Sequence, residues 1–241
     1  MKKILILGHN GLLGNMVYKY FKSTLKYKIY TTNFKWNDDS FKQKIINLSP
    51  DYIINCIGII PQKNKAEELY TKVNYLLPVW LDTLNIKIIH PDTDESDSTP
   101  YGLSKRLARE HIGSNTKIIK TSIIGFEKKS KVSFLEWFLN SKGTINGYTN
   151  NYWNGNTTLE WSHWAEIIID DWSDYNKITT IANPECKSKY EILMMLKGLF
   201  QKDINIIPVE GPIKKENCLK PDYYTNDLLN QLIEMRYFYK K

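Results

Sequence analysis

A chain of 241 residues with 42% hydrophobic and 24% charged side chains is long enough to bury its own core, and its ordinary composition excludes a disordered or fibrous protein. The net charge of +7 comes from lysines spread along the whole sequence rather than gathered with aromatics into one stretch, which argues against a nucleic-acid partner. No apolar run reaches membrane-span length, and the apolar run at residues 4–7 is too short for a signal-peptide core, so a cytoplasmic protein with no membrane partner is expected.

In chain order, residues 4–7 form a continuous apolar run ended by Gly8, the pattern of a buried parallel strand. Residues 12–21 have helical spacing, with Leu13, Val17 and Phe21 on one face. Strands are predicted over 27–32, 51–57, 86–90 and 117–122. Helices are predicted over 41–48, 67–84 (interrupted by Pro78) and 101–112. This alternation predicts an α/β fold with a Rossmann-type doubly wound parallel sheet. After residue 125 the pattern changes. Helices over 135–139, 159–172 and 189–200 and short strands over 178–182 and 204–209 surround a stretch, 143–157, rich in Gly, Asn, Tyr and Trp. The expected organisation is a dinucleotide-binding domain over 1–125 and a smaller C-terminal substrate lobe over 126–241, parts of which return to the first.

The loop between the first strand and helix reads G-x-x-G-x-x-G, with Gly8, Asn10, Gly11, Leu12, Leu13 and Gly14 as candidate cofactor-binding residues. Such a loop turns tightly, lets a pyrophosphate approach backbone N–H groups at a helix N-terminus, and allows close helix–strand packing. An NAD site places an acid at the end of the second strand to accept from the ribose 2′-OH. Here that region holds Thr32, Asn33 and Lys35 and no acid, so it tolerates a 2′-phosphate. NADP is the expected cofactor, with NAD as the alternative.

Tyr101 and Lys105 stand four residues apart, on one face of a predicted helix. An ammonium beside a phenol lowers its pKa, and such a phenol can exchange a proton with a carbonyl or alcohol while hydride moves. Residues 148–158 combine aromatics, amides and hydroxyls; Trp153, Asn154, Thr157 and Thr158 are the candidate substrate-binding residues, rings to stack on a nucleobase and amides to read its edge. Lys187 and Lys189 are within reach of a diphosphate or are simply solvated. The three cysteines, Cys56, Cys186 and Cys218, show no metal-ligand spacing and an odd count, which predicts neither a metal site nor a disulfide framework and favours a reducing compartment. Cys56 reads either as a thiol catalyst or as a small buried neighbour of the cofactor, and His90 as a core histidine.

These motifs, with residues 50–60, Asn74, Pro78, 121–125 and 153–160, resemble the extended short-chain dehydrogenase/reductase superfamily, and within it the dTDP-4-dehydrorhamnose reductase-like branch of sugar-nucleotide reductases. The resemblance implies NADP(H)-dependent reduction of a nucleotide-linked 4-keto-6-deoxy sugar in nucleotide-sugar biosynthesis. It implies Tyr101 as proton donor, Lys105 as the residue that holds the nicotinamide ribose and tunes Tyr101, and Cys56, Ile57, Gly58 and Thr121 beside the cofactor. The family pattern Ile-His-x-Ser-Thr-Asp meets Ile-His-Pro-Asp-Thr-Asp at 89–94, which makes Thr93 the third catalytic residue. Beyond Thr93 the chain departs from the family. Only the seven residues 94–100 separate Thr93 from Tyr101, where the family carries a longer loop. An extended segment of that length reaches about 23 Å, so the two can still meet. Thr93-Asp94-Glu95 also resembles the Thr-Asp-Glu of nucleotide-sugar 4,6-dehydratases, although residues 92–97 read equally as a solvated acidic loop. A dehydratase or epimerase, and a non-catalytic NADP-binding partner subunit, stand as alternatives, and a homodimer is left open.

Overall fold

The structure, a computed structural model, describes residues 1–33, 39–63, 66–129 and 131–240. Its first part runs β1 (Lys3–Leu7), α1 (Leu12–Thr24), β2 (Lys28–Thr31), α2 (Asp39–Leu48), β3 (Tyr52–Asn55), α3 (Glu67–Tyr70), a π-helical segment (Thr71–Leu76), α4 (Leu77–Asp82), β4 (Lys87–Asp92), α5 (Pro100–His111) and β5 (Thr116–Lys120). The second part runs β6 (Ile123–Ile124), α6 (Phe134–Asn140), β7 (Thr144–Tyr148), β8 (Asn151–Trp153), β9 (Asn156–Thr157), α7 (Thr158–Asp170), β10 (Ile178–Ala182), β11 (Lys187–Ser188), α8 (Lys189–Phe200), β12 (Asn205–Val209), β13 (Lys215–Asn217), β14 (Tyr223–Tyr224) and α9 (Leu228–Lys240).

Seven strands form one sheet in the order β14-β10-β5-β4-β3-β1-β2, parallel at every pairing. This is the Rossmann-type α/β arrangement that the alternation of elements predicts. Its strands read as unbroken apolar runs because helices cover both faces. Ile4, Ile6 and Ile54 point to the face packed by Val17 and Phe21 of α1 and Trp161 and Ile168 of α7. Leu5, Leu7 and Ile53 point the other way, onto Phe41 and Ile45 of α2 and Leu77 and Leu81 of α4. The alternation of 4 and 6 against 5 and 7 is the two-residue period of a strand. Each fully buried aliphatic side chain contributes about 1.5–3 kcal/mol, so the two clusters anchor the sheet from both sides.

The chain leaves β1 for β2 on one side and continues with β3 on the other, so the strand order reverses between β1 and β3. Such a switch point opens a crevice at the carboxyl ends of the strands, where open α/β sheets bind ligands. Segments from beyond residue 125 return to this layer: α7 packs on α1, and β10 and β14 extend the sheet. The remainder builds smaller sheets, β11-β8-β13, β12-β7 and β6-β9, around an apolar cluster that includes Phe138, Leu193, Leu196, Leu232 and Met235.

Three features differ from the sequence reading. The helix expected to be interrupted at Pro78 runs on: Pro78 lies at the start of α4, where the helix passes from the π-helical segment back to α geometry. Helix α9 has no counterpart among the predicted elements, although Leu228, Leu232 and Met235 carry its buried stripe. The expectation that the cysteines form no disulfide is corrected: Cys186 and Cys218 are bonded, with Cα atoms 6.0 Å apart across 32 residues of sequence. Strands β11 and β13 lie on either side of β8 and bring the two cysteines together, which no local spacing reveals. The cysteine argument for a reducing compartment falls with it. Among the described residues, no helix is long and apolar enough to cross a membrane.

Candidate active site

The glycine loop follows β1 into the crevice. Gly8 has φ +74°, and a Cβ there would lie 2.8 Å from the Cys56 backbone, so the exits of β1 and β3 touch through it. A Cβ on Gly14 would lie 2.2 Å from the Gly8 carbonyl oxygen, so α1 sits directly against the turn. Gly11 N–H donates to the Gly8 carbonyl at 2.9 Å and closes the loop. Gly11 is the N-cap of α1 and has no side chain to cap it. The first N–H groups of the helix are therefore left for an anion. Leu13 is buried in the core, and Asn15 donates from its amide to the Gly11, Leu12 and Phe126 carbonyls, fixing the loop to the second part of the chain. The Asn10 amide pairs with the His9 ring at 3.1 Å. This cradle fits a dinucleotide pyrophosphate. Gly14→Ala should destabilise the protein by about 1–3 kcal/mol, because the added methyl needs a backbone shift. A thermal melt measures the loss.

Thr32 and Asn33 follow β2, the first half-buried and the second exposed. Lys35 lies outside the described residues. At the exit of β3, the Asn55 carbonyl oxygen accepts from Ile57 N–H at 3.1 Å, and its amide pairs with His90 at 3.2 Å. The π-helical segment turns Asn74 inward, where its side chain both accepts from and donates to the Ile59 backbone at 2.9 Å. It also donates to Ser104 of α5 at 3.4 Å. Asn74 thus fastens the strip containing Cys56, Ile57 and Gly58 to the helix that carries Tyr101, a function that helical periodicity does not reveal. Burial pushes the Cys56 thiol well up, so it is no thiolate nucleophile. Burial likewise lowers His90, which stays a neutral core histidine.

The short stretch after β4 doubles back onto α5. Thr99 caps the helix by accepting from Gly102 N–H at 3.0 Å, and Pro100 occupies its first turn. Ser96 lies against Gly102, and Thr99 N–H donates to the Ser96 carbonyl at 3.2 Å. The seven residues therefore close a compact turn, which brings the Thr93 hydroxyl close enough to influence the Tyr101 phenol, while Thr93 Oγ1 itself accepts from Glu95 N–H at 3.2 Å. The ring edge of Tyr70 meets Tyr101 at 5.9 Å between centroids. Lys105 is 5% exposed and donates from Nζ to the Pro91 carbonyl at 3.0 Å.

The electrostatics reverse one expectation. The nearby Lys105 predicts a lowered Tyr101 pKa; the Tyr101 hydroxyl is instead raised well above its ordinary value. Burial dominates, and Asp92, Asp94 and Glu95 add to it against the opposing influence of the Thr93 hydroxyl. Lys105 itself is pushed down to about 8 by burial and by Arg109, against the pull of Asp92. Burial and Glu95 push Asp94 up to about 6, against the opposing influence of the Ser122 and Asn217 side chains. The acidic stretch is therefore not a solvated loop throughout: Asp92 and Thr93 are buried, while Asp97 is exposed.

The remaining candidates are engaged within the fold. Thr121 Oγ accepts from the Asn156 amide at 2.9 Å, inside a buried network that reaches Gln231. Asn154 clasps Leu219, accepting from its N–H at 2.8 Å and donating to its carbonyl at 2.9 Å. Thr157 caps α7 through Glu160 N–H at 3.2 Å, and buried Thr158 meets Met235. Trp153 is half-buried on β8, in register with Asn217 of β13. Lys187 is paired with Glu185. Lys189, one residue beyond β11, and Lys215 of β13 form no ion pair among the described residues; Lys189 is lowered by burial and by the charge of Lys215, and it is drawn towards Asp94 and Glu95.

No protein-family model matches the chain, and no curated protein matches its sequence. Solved structures do match along its whole length. A dTDP-4-dehydrorhamnose reductase from Clostridium acetobutylicum has a TM-score of 0.79 at 17% identity, covering 99% of this chain and 100% of that one. A dTDP-4-dehydrorhamnose reductase from Bacillus anthracis, solved in complex with NADP, has a TM-score of 0.80 at 16% identity, covering 100% and 99%. A dTDP-glucose 4,6-dehydratase from Bacillus anthracis, solved in complex with NAD, has a TM-score of 0.71 at 15% identity, covering 100% and 97%. The likeness is one of fold, end to end.

Proposed function

We propose that this protein is an NADP(H)-dependent reductase of a nucleotide-linked 4-keto-6-deoxy sugar, acting in nucleotide-sugar biosynthesis. The observation that carries the reading is the placing of Tyr101 and Lys105 on one face of α5, a helix tied through Asn74 to the strip beside the glycine cradle; burial raises the Tyr101 phenol and favours its protonated form. NADPH, when bound, supplies hydride to the sugar C4. Reduction of a ketone leaves an alkoxide, which must take a proton, and a raised phenol holds that proton until the alkoxide forms. Thr93 orients the carbonyl oxygen towards Tyr101. Charged Lys105 stabilises the phenolate left behind and holds the nicotinamide ribose. Residues 1–125 supply the cofactor side and 126–241 the substrate side. Thr32 and Asn33, with no acid beside them, support NADP over NAD. Half-buried Lys189 and neighbouring Lys215, which have no ion-pair partner among the described residues, support a diphosphate-bearing substrate, and Trp153, in register with Lys187 and Asn217 on the same small sheet, supports an aromatic contact.

A dehydratase reading is favoured by one observation. Asp94, pushed up to about 6 and acting on Tyr101, is a carboxyl group able to give a proton near neutral pH. The assay is NADPH consumption with a dTDP-linked 4-keto-6-deoxy sugar, beside elimination of water from the corresponding 6-hydroxy sugar nucleotide. Stoichiometric NADPH oxidation supports the reductase. Water loss without net oxidation supports the dehydratase, and NADPH binding without either reaction overturns both. Tighter binding of NADH than of NADPH reverses the cofactor assignment.

A further inference from the structure

Tyr101, Lys105 and Arg109 repeat every four residues and share one face of α5. The first meets Thr93 and the second the Pro91 carbonyl. The third reaches the strand residue just before the short loop and one residue in its middle. Arg109 donates from Nη1 to Asp92 Oδ1 and Oδ2 at 3.1 and 2.8 Å, and from Nη2 to Asp97 Oδ1 at 2.9 Å. The side chains differ in solvation: Asp92 is 1% exposed, Arg109 14% and Asp97 47%. Asp92 stands where the resembling family pattern has serine, immediately before Thr93. A carboxylate buried there costs several kcal/mol unless it is paired. A guanidinium also fixes direction, because its planar fork holds two acceptors at set angles.

We propose that Arg109 is a positioning residue that staples the shortened loop 93–99 to α5 and so holds the Thr93 hydroxyl against Tyr101. The short loop has a few contacts of its own, between Thr93 and Glu95 and among Ser96, Ser98 and Thr99, and the fork on Asp92 and Asp97 adds a fastening to α5. Its effect on turnover rests on the reductase reading, whereas the fastening of the loop does not. Arg109 also offsets the Asp92 charge felt by both catalytic side chains. Lys105 faces His90 and Asp92 from β4 and Arg109 from its own helix, and Tyr101 faces Asp92, Asp94 and Glu95 from the strand end and loop. Removing Arg109 leaves Asp92 unopposed, so Lys105 keeps its proton to higher pH.

The test compares wild type with Arg109→Lys, Arg109→Met, Asp97→Asn and the double variant Asp92→Asn/Arg109→Met, which removes both charges and avoids an unpaired buried carboxylate. Hydrogen exchange of the 93–99 amides reads the staple directly. Loss of the fork should raise that exchange about tenfold, and loop misplacement should lower kcat by roughly 10–100-fold while KM for NADPH stays within about twofold. Arg109→Lys and Asp97→Asn should give intermediate values. The alkaline limb of the kcat profile should move to higher pH in Arg109→Met but not in Asp97→Asn, a separation that a merely structural role would not produce. Wild-type exchange and wild-type kcat in Arg109→Lys, Asp97→Asn and the double variant together overturn the proposal. If wild type reduces no 4-keto sugar nucleotide, the reductase reading fails while the exchange measurement still decides the staple.

Discussion

Tyr101→Phe should bind NADPH as wild type does and lose about 10²–10⁴-fold in kcat. The substitution removes one oxygen from a site where burial and three carboxylates hold the phenol protonated. Phenylalanine keeps the ring and its edge contact with Tyr70, so the fold has little to lose. The Thr93 hydroxyl still accepts from Glu95 N–H at 3.2 Å and is therefore not stranded. The proton for the nascent alkoxide is gone. Single-turnover hydride transfer, followed by loss of NADPH absorbance, measures the defect without interference from product release. A kcat within about threefold of wild type would remove Tyr101 from the chemistry, since general acids contribute far more than that. Thr93→Val, which keeps the shape and loses the hydroxyl, should fall between the two.

How much of this site is legible in the sequence depends on how local each requirement is. Gly8 and Gly14 answer a backbone demand within one turn, so the loop announces itself next to a buried strand. Tyr101 and Lys105 share a helix, and their common face follows from spacing alone. The sheet is legible because the β/α alternation leaves few topologies. The state of Tyr101 is not local. Asp92, Asp94 and Glu95 act on it only after the chain has doubled back, so a reading from the Tyr/Lys pair alone gives the shift the wrong sign. Asn154, Thr157 and Thr158 have bonds that are equally non-local. A polar, aromatic stretch suggests recognition, but their side chains cap α7 and brace Leu219 and Met235, bonds that exist only once the second part has folded. The disulfide and Asn74 are equally non-local. Arg109 carries a faint signal in the Asp-for-Ser change at position 92, which demands a cation somewhere near.

Lys105→Met should separate stability from activity, because the native ammonium is held at a cost. Burial lowers Lys105 to about 8 from an ordinary 10.5. A lysine depressed in the folded state destabilises the fold while it is charged. That cost is full below about pH 8, shrinks as the ammonium deprotonates, and vanishes above 10.5. Methionine fills the aliphatic stem and carries no charge, so the variant should be more stable than wild type at pH 7, by up to about 3 kcal/mol before the lost bond to the Pro91 carbonyl is deducted. The gain should fade as pH rises from 8 towards 10.5, and denaturant melts at pH 7, 9 and 10.5 trace it. Turnover should move the other way. With no cation beside the phenolate, kcat should drop by at least about 10²-fold, the scale of removing one preorganised electrostatic contact. Wild-type kcat should itself decline above pH 8, as the same ammonium loses its proton. A variant that is both less stable at pH 7 and fully active would mean that Lys105 serves the packing of α5 on β4 and not the chemistry. The opposite pairing, a stabler protein that binds NADPH and cannot reduce its substrate, is what a buried charge kept for function predicts.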